Sequence, residues 1–308
     1  MWNKPYLQAH KLKSPKEWTD LIDPSNYNHL AISAPSRSGT THLTIEAILQ
    51  AYGWEKGWAL LLNMGGNMAA VTERSFGVPE GVNNGQYGIG IVIDFFGLSA
   101  IASGFPVDFA YPSMTPVVPA NVGIVKGSPN FENAKSFINF LLGEEGQMLL
   151  FKPDIGRLPV IPELYAKGPA GYPNPFKAKL GGLDFNSDLS SVRYDLLNSL
   201  FDQIVTFRLA ELKEAWGAIY KAEKAVEEGR KKKKKDVTKA TAMVTEARSL
   251  VTKVPVSEAN ANNKDFNKAF KGKEKTETRA KLETEWDATA KANYLKAKEL
   301  ALKAMETI

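Results

Sequence analysis

Ser33-Ala-Pro-Ser-Arg-Ser-Gly-Thr-Thr-His42 follows the apolar run Leu30-Ala-Ile32 and precedes a helical pattern. The order predicts a strand at 29–33, a tight turn and then a helix, because Leu43, Ala47, Ile48 and Ala51 recur at helical spacing until Gly53 ends the run. The first backbone N–H groups of a helix have no intrahelical acceptor and carry the positive end of its dipole. Here they stand among Ser36, Ser38, Gly39, Thr40 and Thr41, beside the guanidinium of Arg37, and that makes the turn a candidate anion site. The plainer alternative for hydroxyls at a helix start is that Ser38 or Thr40 caps the helix. Arg37 is the residue that favours a ligand.

Beyond Gly53, Trp54, Trp58, Leu61 and Leu62 share one helical stripe that stops at Gly65-Gly66, a spacing that predicts core tryptophans rather than a ligand platform. A short strand at 68–71 runs into Thr72-Glu-Arg-Ser75, a second strand-to-helix corner carrying an arginine, with Ser75 placed to cap a brief helix. Residues 88–93 form an almost continuous apolar run, as in a parallel strand covered on both faces, and the run ends at Asp94. Ligands of open α/β sheets sit outside the carboxyl ends of the strands. Ser36 to Thr41, Arg74, Ser75 and Asp94 are therefore candidates to converge in one crevice. Asp94 has a structural alternative, as the cap of a helix over 95–103.

Upstream, residues 1–28 carry Pro5, Pro15 and Pro24 and an amphipathic stretch at Trp18, Leu21 and Ile22, which reads as a lead-in with one short helix. Downstream the pattern predicts strands near 107–111 and 120–125, a helix over 130–142 and a Pro/Gly-rich loop from Pro153 to Gly182. Strands alternating with helices make this an α/β region. From Val192 to Ile219 the apolar spacing is helical throughout, with further helices expected at 237–253 and 276–306, and the long amphipathic stripe is expected to pack back on the α/β body. Glu227 and Glu228 lie four residues before Lys231 and Lys232, the favourable order for pairs on an exposed helix. No aromatics interleave the run from Lys231 to Lys235, so it reads as a solvated face rather than a nucleic-acid or acidic-lipid contact.

The 308 residues are 44% apolar, enough for a sizeable core and for two domains. No run approaches the length needed to cross a bilayer, and Met1-Trp-Asn-Lys-Pro-Tyr6 lacks the apolar segment of a signal peptide. The absence of cysteine excludes thiolate chemistry, Cys-ligated zinc and disulfides, without choosing a compartment. His10, His29 and His42 are too few for a multi-histidine metal site. A net charge of +5 suits anionic partners, but much of the excess lies in the lysine run, and nucleic acid is not an expected partner. A phosphate-handling enzyme would need features that are missing, such as Gly-x-x-x-x-Gly-Lys-Ser/Thr or Gly-x-Ser-x-Gly. The chain is expected to be a non-enzyme without a cofactor.

Trp18-Thr-Asp-Leu-Ile-Asp23, the Ser33 to His42 segment, Gly53-Trp-Glu-Lys-Gly-Trp58, Val92-Ile-Asp94 and Leu141-Leu-Gly-Glu-Glu-Gly-Gln147 together resemble the solute-binding proteins of bacterial ABC importers, in the subgroup of ferric-iron and organophosphate binders. Pro35 to Thr44, Arg74-Ser-Phe-Gly-Val78, Thr206 to Trp216 and Val254-Pro-Val-Ser257 extend the likeness toward members that handle phosphoglycerate. The resemblance implies a periplasmic, two-lobed α/β clamp. It would capture a small phosphorylated or carboxylated anion, of phosphoglycerate or sugar-phosphate type, and hand it to an ABC permease or a membrane sensor kinase, peripheral to the membrane at most. It further implies a lead-in or hinge at 1–25, a complete second lobe at 26–112, a return segment to an incomplete first lobe at 113–182 and a helical C-terminal extension at 183–308. Family members begin with an export signal and most of a first lobe, whereas Met1 to Tyr6 resembles a position well inside the family. The chain is accordingly expected to be N-terminally truncated or to need another polypeptide, with the strand at 120–125 and the helix at 130–142 left without partners. In the implied site, amides and hydroxyls of Ser36 to Thr41 cradle the anion, Arg37 and Arg74 pair with its charge, and Asp94 accepts from a solute hydroxyl. Ferric iron is the alternative ligand, although iron-binding relatives commonly use adjacent tyrosines and no Tyr-Tyr pair occurs here. A regulatory protein acting through the helical tail is the alternative role.

Overall fold

The computed structural model describes residues 1–177, 182–232, 236–272 and 276–308. Its strands are β1 (Trp2–Asn3), β2 (Leu30–Ser33), β3 (Met68–Thr72), β4 (Ile89–Gly90) and β5 (Val107–Asp108), in the sheet order β3-β2-β4-β1-β5. Buried at every position, β2 pairs in parallel with β3 and β4, as apolar runs covered on both faces do. β1 lies antiparallel between β4 and β5, with Trp2 opposite both Ile89 and Asp108. The amino-terminal residues are thus part of the sheet as well as a lead-in.

The helices are α1 (Lys4–His10), α2 (Gly39–Tyr52), α3 (Trp54–Gly66), α4 (Gly77–Asn83), α5 (Asp94–Ala102), α6 (Phe131–Leu142), α7 (Glu144–Met148), α8 (Ser187–Phe201), α9 (Leu209–Lys231), α10 (Val237–Val251), α11 (Glu258–Asn262), α12 (Lys264–Asn267) and α13 (Glu277–Thr307). Gly53 divides α2 from α3 with a φ of 79°, a backbone state that few residues other than glycine adopt. Trp54 and Trp58 are buried edge to face in the core, as their spacing predicts. Lys231 pairs with Glu227 at 2.6 Å, while Lys233 to Lys235 lie outside the described residues.

Two expectations are corrected, and the helix expected to lack partners does lack them. The apolar runs at 88–93 and 107–111 contribute only two ladder residues each, and 120–125 is not a strand: no strand occurs in 109–130. A strand needs a neighbour for its N–H and C=O groups, and among the described residues the sheet edge ends at β5. Helix α6 forms as expected but buries none of its residues, and Phe131, Phe137, Phe140 and Leu142 are exposed. The helical run at 192–219 is interrupted. α8 ends at Phe201, Asp202–Thr206 is a π-helical turn, and α9 starts at Leu209. The widened turn keeps Ile204 and Val205 buried and offers the Ile204 carbonyl to the hydroxyl of Tyr294, which donates at 2.7 Å.

One continuous apolar core runs from the sheet through α2 and α3 into α8, α9, α10 and α13, so the C-terminal helices do pack back on the α/β body. The closest approach is between α3 and α9. A Cβ on Gly66 would lie 2.2 Å from Cδ1 of Trp216, and one on Gly65 would lie 2.7 Å from Leu212. Trp54 adds a bond from Nε1 to the Val256 carbonyl at 2.8 Å. α2 is tied to α8 by polar groups instead. His42 Nδ1 lies 2.9 Å from Asn198 Oδ1 and Nε2 lies 3.2 Å from Ser190 Oγ. One turn on, Arg193 donates from Nε to both Glu46 oxygens at 2.9 Å and from Nη2 at 2.6 Å.

Gly66→Ala should lower unfolding free energy in urea by about 1–3 kcal/mol, the range for overpacking a well-packed core. Gly39→Ala, whose methyl meets nothing within 4 Å, is the neutral control. Burial pushes the His42 imidazole below its ordinary value, against the opposing pull of Asn198 and Glu46. The unfolded chain therefore takes up the proton more readily. The stability this group contributes is complete above the unfolded value, near 6.5, and is lost as pH falls through the lower folded value. Urea midpoints should drop between about pH 7 and pH 5, and less steeply in His42→Gln. His29, also pushed down by burial, contributes equally to both proteins.

Candidate functional site

β2 ends at Ser33, and Pro35–Arg37 form a single 3-10 turn that leads into α2. The proline presets φ for that turn. Ser38 has extended backbone and its Oγ accepts from the Thr41 N–H at 3.2 Å, so this hydroxyl is the helix cap. Thr41 turns inward, and its Oγ1 shares a 2.5 Å hydrogen bond with Ser33 Oγ, both residues being buried. The pair pins the first turn of α2 to the end of β2. Thr40 is half-buried and its carbonyl accepts from Thr44 Oγ1 at 3.0 Å, while Gly39 is exposed.

Ser33, Thr40, Thr41, Thr44 and Ser75, with Ile91, Val92 and Ile93, line a small, shallow concavity at the carboxyl ends of β2, β3 and β4. The two strand-to-helix corners meet there through Ser75. Arg74 is exposed and is not among the lining residues; its carbonyl accepts from Thr72 Oγ1 at 2.9 Å and from the Gly77 N–H at 3.1 Å. Asp94 directly follows Ile93 and opens α5. Its Oδ1 accepts from the Phe95 N–H at 2.9 Å and its Oδ2 from the Tyr111 hydroxyl at 3.1 Å. Burial, reinforced by the Asp94 charge, pushes the Tyr111 phenol up, and burial with neighbouring negative charge pushes Tyr165 and Tyr172 up to about 12. Asp94 thus stands among neutral phenols.

Ser36 and Arg37 are exposed, are not among the lining residues, and lie near a residue from the helical part. Asp202, the first residue of the π-helical turn, accepts from the Thr206 hydroxyl at 2.9 Å and lies close enough to Ser36 and Arg37 to be influenced by both. Burial pushes the Asp202 carboxyl above its ordinary range, opposed by Ser36, Thr206 and Arg37. Sequence reasoning missed Ser33, Thr44, Tyr111 and Asp202. Thr44 was findable, since it lies one helical turn beyond Thr40. Tyr111 and Asp202 come from distant chain positions and carry no local signal. Among the described residues no group of three or more His, Asp or Glu side chains is placed to hold a metal ion, and no helix is long and apolar enough to cross a membrane.

The family model described as bacterial extracellular solute-binding protein matches residues 2–182. The phosphoglycerate transport regulatory protein PgtC of Salmonella typhimurium is 33% identical over 271 residues, as is that of Salmonella typhi. The alignment covers 88% of this chain and 64% of the relative, so the chain spans a little under two thirds of the length of these curated relatives. An uncharacterized protein of Haemophilus influenzae is 27% identical over 174 residues, covering 56% of this chain and 49% of that protein. Among solved structures, the periplasmic binding protein AfuA from Actinobacillus pleuropneumoniae, with exogenous fructose-6-phosphate bound, superimposes with a TM-score of 0.58 at 25% identity, covering 65% of this chain and 64% of that one. The periplasmic binding protein P5PA gives a TM-score of 0.55 at 25% identity, with 66% and 65% covered. These solved neighbours are binding proteins rather than enzymes, and they share the α/β architecture described above. With more than half of its length matched by the family model, the chain belongs to the bacterial extracellular solute-binding proteins.

Proposed function

We propose that the protein binds a small phosphorylated anion, of phosphoglycerate or sugar-phosphate type, without chemical turnover. The observation that carries this reading is the convergence of Thr40, Thr44 and Ser75 on one concavity at the amino end of α2. Helix geometry leaves the amides of Gly39 and Thr40 without intrahelical acceptors there, and the dipole of a 14-residue helix favours negative charge at that end. Arg37, exposed in the turn before α2, supplies a charge-assisted contact, Arg74 a second from the neighbouring corner, and Asp94 accepts from a solute hydroxyl. PgtC is by name a regulator of phosphoglycerate transport, and AfuA holds fructose-6-phosphate, which supports the same class of ligand. On this reading the protein acts in the periplasm, for an ABC permease or a membrane sensor.

A regulatory role through the helical part is the second reading. The alignment to PgtC, 271 residues long, extends beyond residue 182, where the family model ends, so the helical part is shared with a transport regulator.

Calorimetric titration with 3-phosphoglycerate and with fructose 6-phosphate tests the binding site. Saturable binding of at least one is expected, weakened roughly tenfold or more by Arg37→Ala, as for loss of a hydrogen bond to a charged group. Ser75→Ala should weaken it less. Absence of binding to both ligands, or wild-type affinity in both variants, refutes the site.

A further inference from the structure

A second, larger recess shares no lining residue with the concavity at α2. It is an open groove of about 340 Å³ between α4 and α5. Phe76, Pro79, Glu80 and Asn83 follow one another at i, i+3, i+4 and i+7 along α4, and Phe96, Ser99, Ala100 and Ser103 do the same along α5, so each helix gives one face to the groove. Pro79 and Ala100 are buried in it, Phe96 is half-buried, and Phe76 and Phe105 remain 56% and 41% exposed. The polar side chains are as unusual as the rings. Those of Glu80, Asn83, Asn84, Ser99 and Ser103 make no hydrogen bond or ion pair among the described residues, and Asn83 Oδ1 is shielded from solvent without a donor. An acceptor in that position costs free energy until a donor reaches it. Neither atom of this amide is tied to the protein, so turning it about χ2 to offer the oxygen breaks no bond.

We propose that the groove between α4 and α5 is a second binding site, for a small organic ammonium ion whose apolar body lies against Phe76, Phe96 and Phe105 and whose N–H groups donate to Glu80 and Asn83. This does not rest on the anion-binding reading above. Aromatic walls with a few polar groups are the usual make-up of a small-molecule site, and the sign of this one is negative throughout. Glu80 is the only charged lining residue, and a carboxylate accepts hydrogen bonds without donating any. The last turns of α4 and α5, at Asn83 and Asn84 and at Ser99 to Ser103, add the negative ends of two helix dipoles. The faces of the phenylalanine rings are negative as well and attract a cation laid over them. The neighbouring ring already holds one: the Arg157 guanidinium lies 3.9 Å over Phe95, whose centroid is 4.5 Å from that of Phe96. An anion would meet the Glu80 charge with no basic lining residue to offset it, and a neutral polyol would leave that charge unused.

Three probes of one shape and different charge, 2-phenylethylammonium, 2-phenylethanol and 3-phenylpropionate, separate the contribution of charge from that of the rings. In ligand-observed NMR titrations of the full chain the ammonium should bind saturably and about two- to five-fold more tightly than the alcohol, the scale of one exposed cation–π or ion-pair contact, with the propionate weakest. Glu80 is exposed and without partners, so Glu80→Gln leaves the fold intact and should remove most of that preference while the alcohol binds as before. Asn83→Asp adds a second carboxylate and should tighten the ammonium by about two- to five-fold. Phe105→Ala should weaken the ammonium and the alcohol alike. A preference for the ammonium that survives Glu80→Gln, tighter binding of the alcohol or the propionate by wild type, or no saturable binding of any probe overturns the inference. Saturable binding of methyl α-glucoside with none of the ammonium would assign the groove to a neutral polyol and overturns it too.

Discussion

Arg193 and Glu46 meet where neither side chain reaches solvent, 2% and 0% exposed. Taking two charges out of water costs several kcal/mol per ion, and the mutual attraction offsets this only with good geometry and full hydrogen bonding. Both conditions hold here. Arg193 contacts both oxygens of Glu46, sends Nη1 to Asn262 at 3.2 Å and lies over the Trp54 ring, while Gln50 donates to Glu46 at 2.7 Å. The net gain from such a pair is small, but separating it is costly, because either partner alone is an uncompensated buried charge. Sliding or rotating α2 on α8 would break this pair.

That constraint reaches the site because α2 begins there. His42, one turn before Glu46, extends the attachment toward Ser38 and Thr41, and Thr41 closes the chain of contacts onto β2 through Ser33. The hydroxyls and amides of the corner are thus presented by a helix fixed at both its strand and its helical neighbour. The helical part is a structural element of this corner rather than an appendage. It shares the core through Trp216 against Gly66 and through Leu200, Phe201 and Ile204 against the α2 and α3 side.

At the opposite extreme, Val117, Val118, Val122 and Val125 are exposed on a segment without strand structure, and α6 shows its aromatic residues to solvent. The apolar pattern at 120–125 was strand-like in the sequence, yet strand formation is a property of a pair of chains. Propensity measures how well a side chain fits a pleated neighbour, and the sheet described here offers no ladder beyond β5. α6, by contrast, satisfies its own backbone and forms even with nothing packed on its apolar face. The contrast explains why a helix was legible at 131–142 and a strand was not legible at 120–125.

What could be read locally was largely read. The α/β alternation, the break at Gly53, the stop at Gly65-Gly66, the buried tryptophans and the helices at the C-terminus all follow from periodicities of two and 3.6 residues and from capping chemistry. The hydroxyl-rich corner was legible for the same reason, although Ser38 proved to be its cap and Thr41 its anchor. Tertiary structure alone decided that Ser75 rather than Arg74 lines the concavity, that Tyr111 holds Asp94, that Asp202 comes near Arg37, and that the helical run pauses in a π-helical turn. Neighbours along a helix or strand are set by bond geometry and so are written in the spacing of residues. Partners brought together across the core are set by which apolar faces pack and how closely, as where Gly66 admits Trp216, and that information is distributed over the whole chain.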